Sequence, residues 1–280
     1  MPAAFVLLLL AICVSGGPAP VWRRRAAMLY AAAVMAGLVE GVLLWPAVLA
    51  IVLLVAAAAW AVRVREAPGS WLATALVLAL RAALVLHQVP GFHSPVSIDA
   101  VRFTPDALPF TQRLNFDKGS VGLVLLALLA PRLRRGDALG SLAATTAVAW
   151  LFTTCAVLGL ATAMGVVQPD FKLPEQTRQF LLVNLLLTCV AEQALFRTLV
   201  QDPLRRTRAG PWGAAVLSAL LFGAAHAAGG APMVLLSALA GLGHAWVYER
   251  TRRIEAPILV HFGLNAAHFL GFTYPALALS

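Results

Sequence analysis

The sequence predicts an all-α protein, a polytopic integral membrane bundle of about eight to ten transmembrane helices. Three observations predict it. The 280 residues are 61% hydrophobic and 12% charged, with a mean hydropathy of +0.84, whereas a soluble domain carries about 25% charged residues. Apolar residues gather in ten stretches, near 3–19, 26–45, 46–62, 70–88, 119–131, 138–164, 176–200, 211–229, 231–249 and 255–274. Arginines cluster after alternate stretches. The composition excludes an ordinary soluble enzyme. It also excludes disorder, which requires a charge-rich, apolar-poor chain.

Taken in order, the first stretch is expected to be a retained span and not a signal peptide. No basic region precedes it, no small-x-small cleavage site leads into a polar mature sequence, and Arg23–Arg25 follow it. With the next three stretches it forms an N-terminal part over residues 1–118. That part closes with the longest polar segment, an outer-side loop at 88–118. The loop holds Pro90, Pro95, Pro105 and Pro109 with Phe92, Phe103, Phe110 and Phe116 interleaved. Its aromatics are expected at the headgroup level of the bilayer. Residues 119–280 are read as a C-terminal six-span bundle. The short fifth stretch, ending before Pro131, leaves nine spans as an alternative.

Arg23–Arg25, Arg63, Arg65, Arg132, Arg134, Arg135, Arg205, Arg206, Arg208, Arg250, Arg252 and Arg253 fall on one side if ten spans alternate. The opposite loops offset Arg102, Arg113, Lys118 and Lys172 with Asp99, Asp106, Asp117, Asp170 and Glu175, and Arg178 lies at a span edge. The positive-inside rule puts the Arg-rich loops in the cytoplasm, with both termini outside an inner (plasma) membrane. Topology therefore accounts for most of the net charge of +9, and no nucleic acid is expected as a partner. Cys13, Cys155 and Cys189 lie in apolar stretches with no ligand or disulfide spacing, and are expected to be buried.

A charge inside a span costs a few kcal/mol and normally faces protein or a water-filled cavity. Glu40 and Arg81 are isolated and read as structural, paired with each other or snorkelling from helix ends. The seventh stretch is richer. Asn184, Thr188 and Glu192 recur every four residues, on one helical face, and Gln193 and Arg197 share another side. The eighth stretch brings Phe222 and His226 before Gly229, Gly230 and Pro232. The tenth carries His261, Asn265 and His268 at i, i+4 and i+7. His244, between Gly241 and Gly243, is a weaker member. One carboxylate, several imidazoles and a carboxamide can activate water, relay its proton and bind an oxyanion. Peptide-bond hydrolysis within the bilayer is the chemistry suggested. A metal site on His226, His261 and Glu192 is the rival, but no His-Glu-x-x-His motif is present. At 1.5 Å per residue, upright helices would hold His226 about 22 Å and His261 about 10 Å from the Arg-rich side, at different depths.

These segments resemble the CPBP family of CAAX proteases and bacteriocin-processing enzymes, also called Abi. The matching runs are Glu192-Gln193-Ala-Leu-Phe-Arg197, Phe222-Gly-Ala-Ala-His226 and His261-Phe-Gly-Leu-Asn265. The likeness covers a protease core at about 176–274. It implies a glutamate-type intramembrane protease acting in the lipid bilayer on a membrane-anchored protein or peptide, in CAAX-type processing or bacterial protein sorting. On that carry-over Glu192 activates water, His226 orients it and shuttles the proton, His261 and Asn265 form the oxyanion site, and Arg197 holds the first motif. Gln193 and Phe222 support them, and neither metal nor cofactor is implied. The family's second Glu is Gln193 here, and an amide pairs less strongly with guanidinium than a carboxylate does. Two other functions compete: a non-catalytic scaffold or bacteriocin-immunity protein of the same fold, favoured by Gln193, and a transporter or proton relay. The missing internal repeat counts against the last.

Overall fold

A computed structural model describes residues 1–17, 20–64, 70–85, 88–131 and 138–278. Arg65, Arg132, Arg134 and Arg135 of the expected cytoplasmic set lie outside the described residues, as does the side chain of Arg81. The helices are α1 (Ala3–Ser15), α2 (Pro20–Val39), α3 (Trp45–Arg63), α4 (Ser70–Val85), α5 (Phe116–Leu128) and α6 (Leu139–Ala163). They continue with α7 (Thr177–Arg205), α8 (Gly210–Ala224), α9 (Gly230–Thr251) and α10 (Glu255–Gly271). A two-stranded sheet, β1 (Val96–Val101) and β2 (Phe110–Arg113), is the only sheet among the described residues.

Each of the ten apolar stretches thus carries a helix, and the protein is an all-α helical membrane protein. Among the described residues, four segments are long and apolar enough to cross a bilayer: α3, α6, α7 and Ala227–Thr251. Helices α1 and α8 are apolar but shorter. The count of ten full spans is therefore not supported, and the boundaries show why. Helix α1 stops at Ser15, before Gly16 and Gly17. Helix α2 starts at Pro20, so Arg23–Arg25 lie within its first turns and not in a loop. Helix α8 stops at Ala224, ahead of a turn that ends on Gly230 at φ +80°. Cys13 and Cys155 are exposed on helix surfaces, and only Cys189 is buried. An apolar helix in a membrane has no need to turn every small apolar side chain inward.

The chain divides into two compact units that are not successive in sequence. The first comprises Met1–Ser97, Arg113–Arg132 and Leu186–Leu195. Here α1 packs on α2, and α5 packs on α1, α3, α4 and the middle of α7. Small residues set the closest approach. A Cβ added at Gly119 would meet the side chains of Leu187 and Leu8 at 2.7 Å, and one at Gly122 would meet Ala191 Cα at 3.1 Å. Such contacts let apolar helices gain dispersion energy where lipid offers no hydrophobic drive. Glu40 proves to be a cap: its carboxylate accepts from the backbone N–H of Ala3 at 2.8 Å and of Ala4 at 3.1 Å. Those donors have no partner inside α1, and negative charge suits a helix N-terminus.

The second unit comprises Ile98–Gln112, Leu133–Leu185 and Phe196–Ser280. In it α8 packs on α9, and both α9 and α10 pack on α6. Val157, Leu158 and Ala161 of α6 meet Leu236 and Ala240 of α9 and Leu264 of α10 in its core. Two aromatics of the 88–118 segment pack on protein. Phe103 and Phe110 join Phe180, Phe269 and Tyr274 in one cluster, where Phe180 stacks on Phe269 at 3.9 Å. Phe116, in the first unit, is fully buried against Phe5 and Tyr30. Burial on protein removes more ring surface from water than an interface does.

Gly122→Leu tests the close contact between α5 and α7. Overpacking of this kind costs about 1–3 kcal/mol, so the detergent-solubilised variant should unfold at lower temperature than wild type. An unchanged melting temperature would show that the two helices are not pressed together there.

Candidate functional site

The site residues stand on α7, α8, α9 and α10, and α7 is not a regular helix. It passes through two π-helical stretches, Asn184–Cys189 and Phe196–Gln201. Each residue inserted by a π turn rotates the remainder of the helix by about 100°. The single face expected for Asn184, Thr188 and Glu192 is therefore broken. Asn184 accepts from Asn265 Nδ2 at 3.2 Å, in the second unit. Glu192, in the first, is bound by Lys118 Nζ at 2.7 Å. The second π stretch has its own causes. Pro203 has no N–H to continue the ladder and its ring crowds the carbonyl four residues back. The Ser218 hydroxyl, from α8, donates to Phe196 O at 3.2 Å.

In the second unit Phe222 is a hub. It is 2% exposed. Its ring lies 4.8 Å from that of His226, 5.6 Å from His244 and 5.7 Å from His261. His244 and His261 are themselves 4.8 Å apart. His226 and His261 both lie against the Phe222 ring. Helices α8 and α9 meet closely, because a Cβ at Gly223 would lie 2.7 Å from Val234 O and one at Gly241 3.0 Å from Ala219 Cα. The rings then bridge what separation remains. His226 Nδ1 lies 2.7 Å from Phe222 O. A carbonyl only accepts, so Nδ1 carries the proton and Nε2 is the nitrogen that exchanges one. The hydrogen bond to Asn184 fixes the plane of the Asn265 amide. His268 leaves the group: its ring lies 4.8 Å from Tyr274, and its Nε2 donates to Thr273 O at 3.2 Å.

Arg197 is wholly buried. Its Nη1 donates to Gln201 Oε1, while Nε and Nη2 have no hydrogen-bond partner among the described residues. Gln201 in turn donates to Ala245 O at 3.1 Å. The chain of contacts reaches the end of α9, where Asp202 accepts from Tyr248 at 2.9 Å and from Arg252 at 2.6 Å, and Glu249 pairs with Arg205 at 2.7 Å. At Arg252, partial burial acts to lower the guanidinium pKa, but Tyr248, Asp202 and Glu249 outweigh it and raise it. Gln193 is also wholly buried. No group of three or more His, Cys, Asp or Glu able to hold a metal ion occurs among the described residues.

Four contributors were missed or underweighted from sequence. Lys118 lies 74 residues from Glu192, beyond the reach of any local pattern. Its one signal is a charge directly before an apolar run. Asn184 was read as sharing a face with Glu192 and not as a partner of Asn265, and Gln201 lies just past the expected end of the seventh stretch. His244, expected to be a weak member, is fully buried against His261. Its signal was the flanking glycines, since Gly241 allows the approach of Phe222.

Replacing Gln201 by Leu removes the partner of a buried guanidinium. Hydrogen bonds to charged groups contribute about 1.5–3 kcal/mol, so thermal unfolding in detergent should move down by several degrees. A variant as stable as wild type would mean that Arg197 finds another acceptor.

No curated protein and no solved structure matches the chain. Residues 174–267 match the family model described as type II CAAX prenyl endopeptidase Rce1-like. That segment holds Glu192, Arg197, Phe222, His226, His244, His261 and Asn265, and over it, about a third of its length, the chain is similar to the Rce1-like proteins of the CPBP family.

Proposed function

We propose that this protein is an intramembrane endopeptidase that hydrolyses a peptide bond of a membrane-associated protein, in CAAX-type processing or in bacterial protein sorting and maturation. The match to an endopeptidase family over 174–267 supports the reaction class. The observation that carries the reading is the packing of three imidazoles around Phe222, one of them with its tautomer fixed.

In the proposed reaction Glu192 takes a proton from water as the water oxygen bonds to the scissile carbonyl carbon. The electron pair of the C=O bond moves to oxygen, where His261 and Asn265 donate hydrogen bonds to the oxyanion. His226, through Nε2, orients the water and passes the proton to the leaving nitrogen. The C–N bond breaks, and an amine and a carboxylic acid result. Arg197, Gln193 and Phe222 hold the helices that carry these groups. In the threading we propose, the Arg-rich helix ends face the cytoplasm across the inner membrane.

Glu192→Ala and His226→Ala test the roles directly. In proteoliposomes with a prenylated CAAX-type reporter peptide, each should cut turnover by about 100-fold or more, the contribution of a positioned acid–base group. Circular dichroism and gel filtration should show a folded protein. Undiminished cleavage by folded Glu192→Ala would remove the glutamate from the mechanism.

A further inference from the structure

We infer that Lys118 is a positioning residue of this protease, whose ammonium keeps the Glu192 carboxylate ionised and fixed in place. The inference rests on the reading of Glu192 as the base. Its ground is geometric. Lys118 Nζ lies 2.7 Å from Glu192 Oε1, with the two side chains only 19% and 15% exposed. The pair joins the first turn of α5 to the middle of α7, inside the first unit.

The surrounding residues press that contact together. Gly119 follows Lys118 directly and touches Leu187. Gly122, one turn on, touches Ala191, the residue before Glu192. A larger side chain at Gly122 would press on the Ala191 backbone and push α5 from α7, whereas one at Gly119 would displace the ends of Leu187 and Leu8. Asp117 is the other ionisable group on this turn. It is 1% exposed, and its Oδ1 accepts from the Lys118 backbone N–H at 2.7 Å. On α2, Tyr30 lies against Phe116.

Packing alone does not explain the pair. Taking two charges out of water is costly, and apolar side chains of the same volume often hold a contact equally well. What an ammonium supplies, and an apolar residue cannot, is a counter-charge for an anion held away from bulk water. A base that is to take a proton from water must first be without one. When Glu192 takes that proton the ammonium loses its counter-charge, and it regains it when the proton passes on to the leaving amine. Lysine suits this task as a compact point charge on a flexible stem. The chain has only one other lysine, Lys172. Lys118 also lies outside the segment 174–267 that matches the family. The N-terminal unit therefore does more than anchor the protein, because it contributes a charge to the reacting carboxylate.

The test uses the full chain in proteoliposomes at neutral pH and reads two signals. One is infrared absorption by a protonated carboxyl group, assigned to Glu192 by its loss in Glu192→Gln. The other is cleavage of the prenylated reporter peptide. Lys118→Met should show the protonated-carboxyl band, which wild type lacks and which Lys118→Met/Glu192→Gln loses again. Its kcat should fall by about 100-fold with KM within about threefold. Lys118→Arg should keep the carboxylate ionised. Lys118→Cys should behave like Lys118→Met, then regain the ionised carboxylate and activity when 2-bromoethylamine rebuilds an ammonium at that thiol. Should Lys118→Met misfold, Lys118→Gln removes the charge while keeping a donor and carries the same comparison. A folded charge-free variant without the infrared band overturns the inference, as does one with wild-type kcat. Activity retained in Glu192→Ala instead overturns the glutamate reading, and the infrared signal then still reports on the pair.

Discussion

Polar groups within apolar helices have no water to fall back on, so a partner elsewhere in the chain is worth more to them than it would be at a wet surface. An unmet group costs several kcal/mol in such surroundings. This constraint decides most of the local structure. Glu40 closes the open end of α1 by accepting from Ala3 and Ala4. Ser218 attends to the Phe196 carbonyl at the second π stretch. Gln201 links the Arg197 guanidinium to the Ala245 carbonyl. His226 is turned by the Phe222 carbonyl, and Asn265 by Asn184. The same bonds that satisfy these groups also orient them. Orientation is what the proposed roles of His226 and Asn265 need, so in that reading stability and function ask for the same partners.

Close approach makes those partnerships possible. Gly223 and Gly241 bring α8 and α9 together in the second unit, and Phe222 then faces three imidazoles. Gly119 and Gly122 do the same for α5 against α7 in the first unit, where Lys118 reaches Glu192. In both units a pair of small residues lies beside the polar contact. Aromatic–imidazole contacts contribute about 0.5–1.5 kcal/mol each beyond the area they bury. Phe222 is therefore as much a spacer for the histidines as a core residue.

Much of this was legible in the sequence. Helix α3 begins within one residue of its expected start, since Pro46 favours the first turn, and α6 falls within one residue of its expected ends. Composition sufficed for the all-α membrane class, and motif spacing for the family. Helix arithmetic failed where the helix itself is irregular. Counting in fours put Asn184 and Glu192 on one face, but the π turn at Asn184–Cys189 separates them. Counting by depth did not foresee that the rings of His226 and His261 would both lie against Phe222. The aromatics at 103 and 110 looked interfacial, since nothing local told of Phe180 and Phe269. Long-range pairs such as Lys118 with Glu192 leave no periodic trace at all.

The departure at Gln193 becomes intelligible as a matter of charge balance within the fold. In the first unit the Glu192 carboxylate is met by Lys118. A second carboxylate at 193, on a side chain with 0% exposure, would add a buried anion in need of its own cation. A neutral amide there adds no further anion beside Glu192. In the second unit the Arg197 guanidinium bonds to an amide oxygen, that of Gln201, and Asp202 acts on its charge from the next turn. Arg197 thus has a place in the fold that does not depend on a carboxylate at 193. From Thr177 to Gln201, the apolar run of α7 holds a single acidic residue, Glu192. The residue that departs from the family pattern therefore leaves the base proposed for that helix with one candidate, and that carboxylate is paired with Lys118.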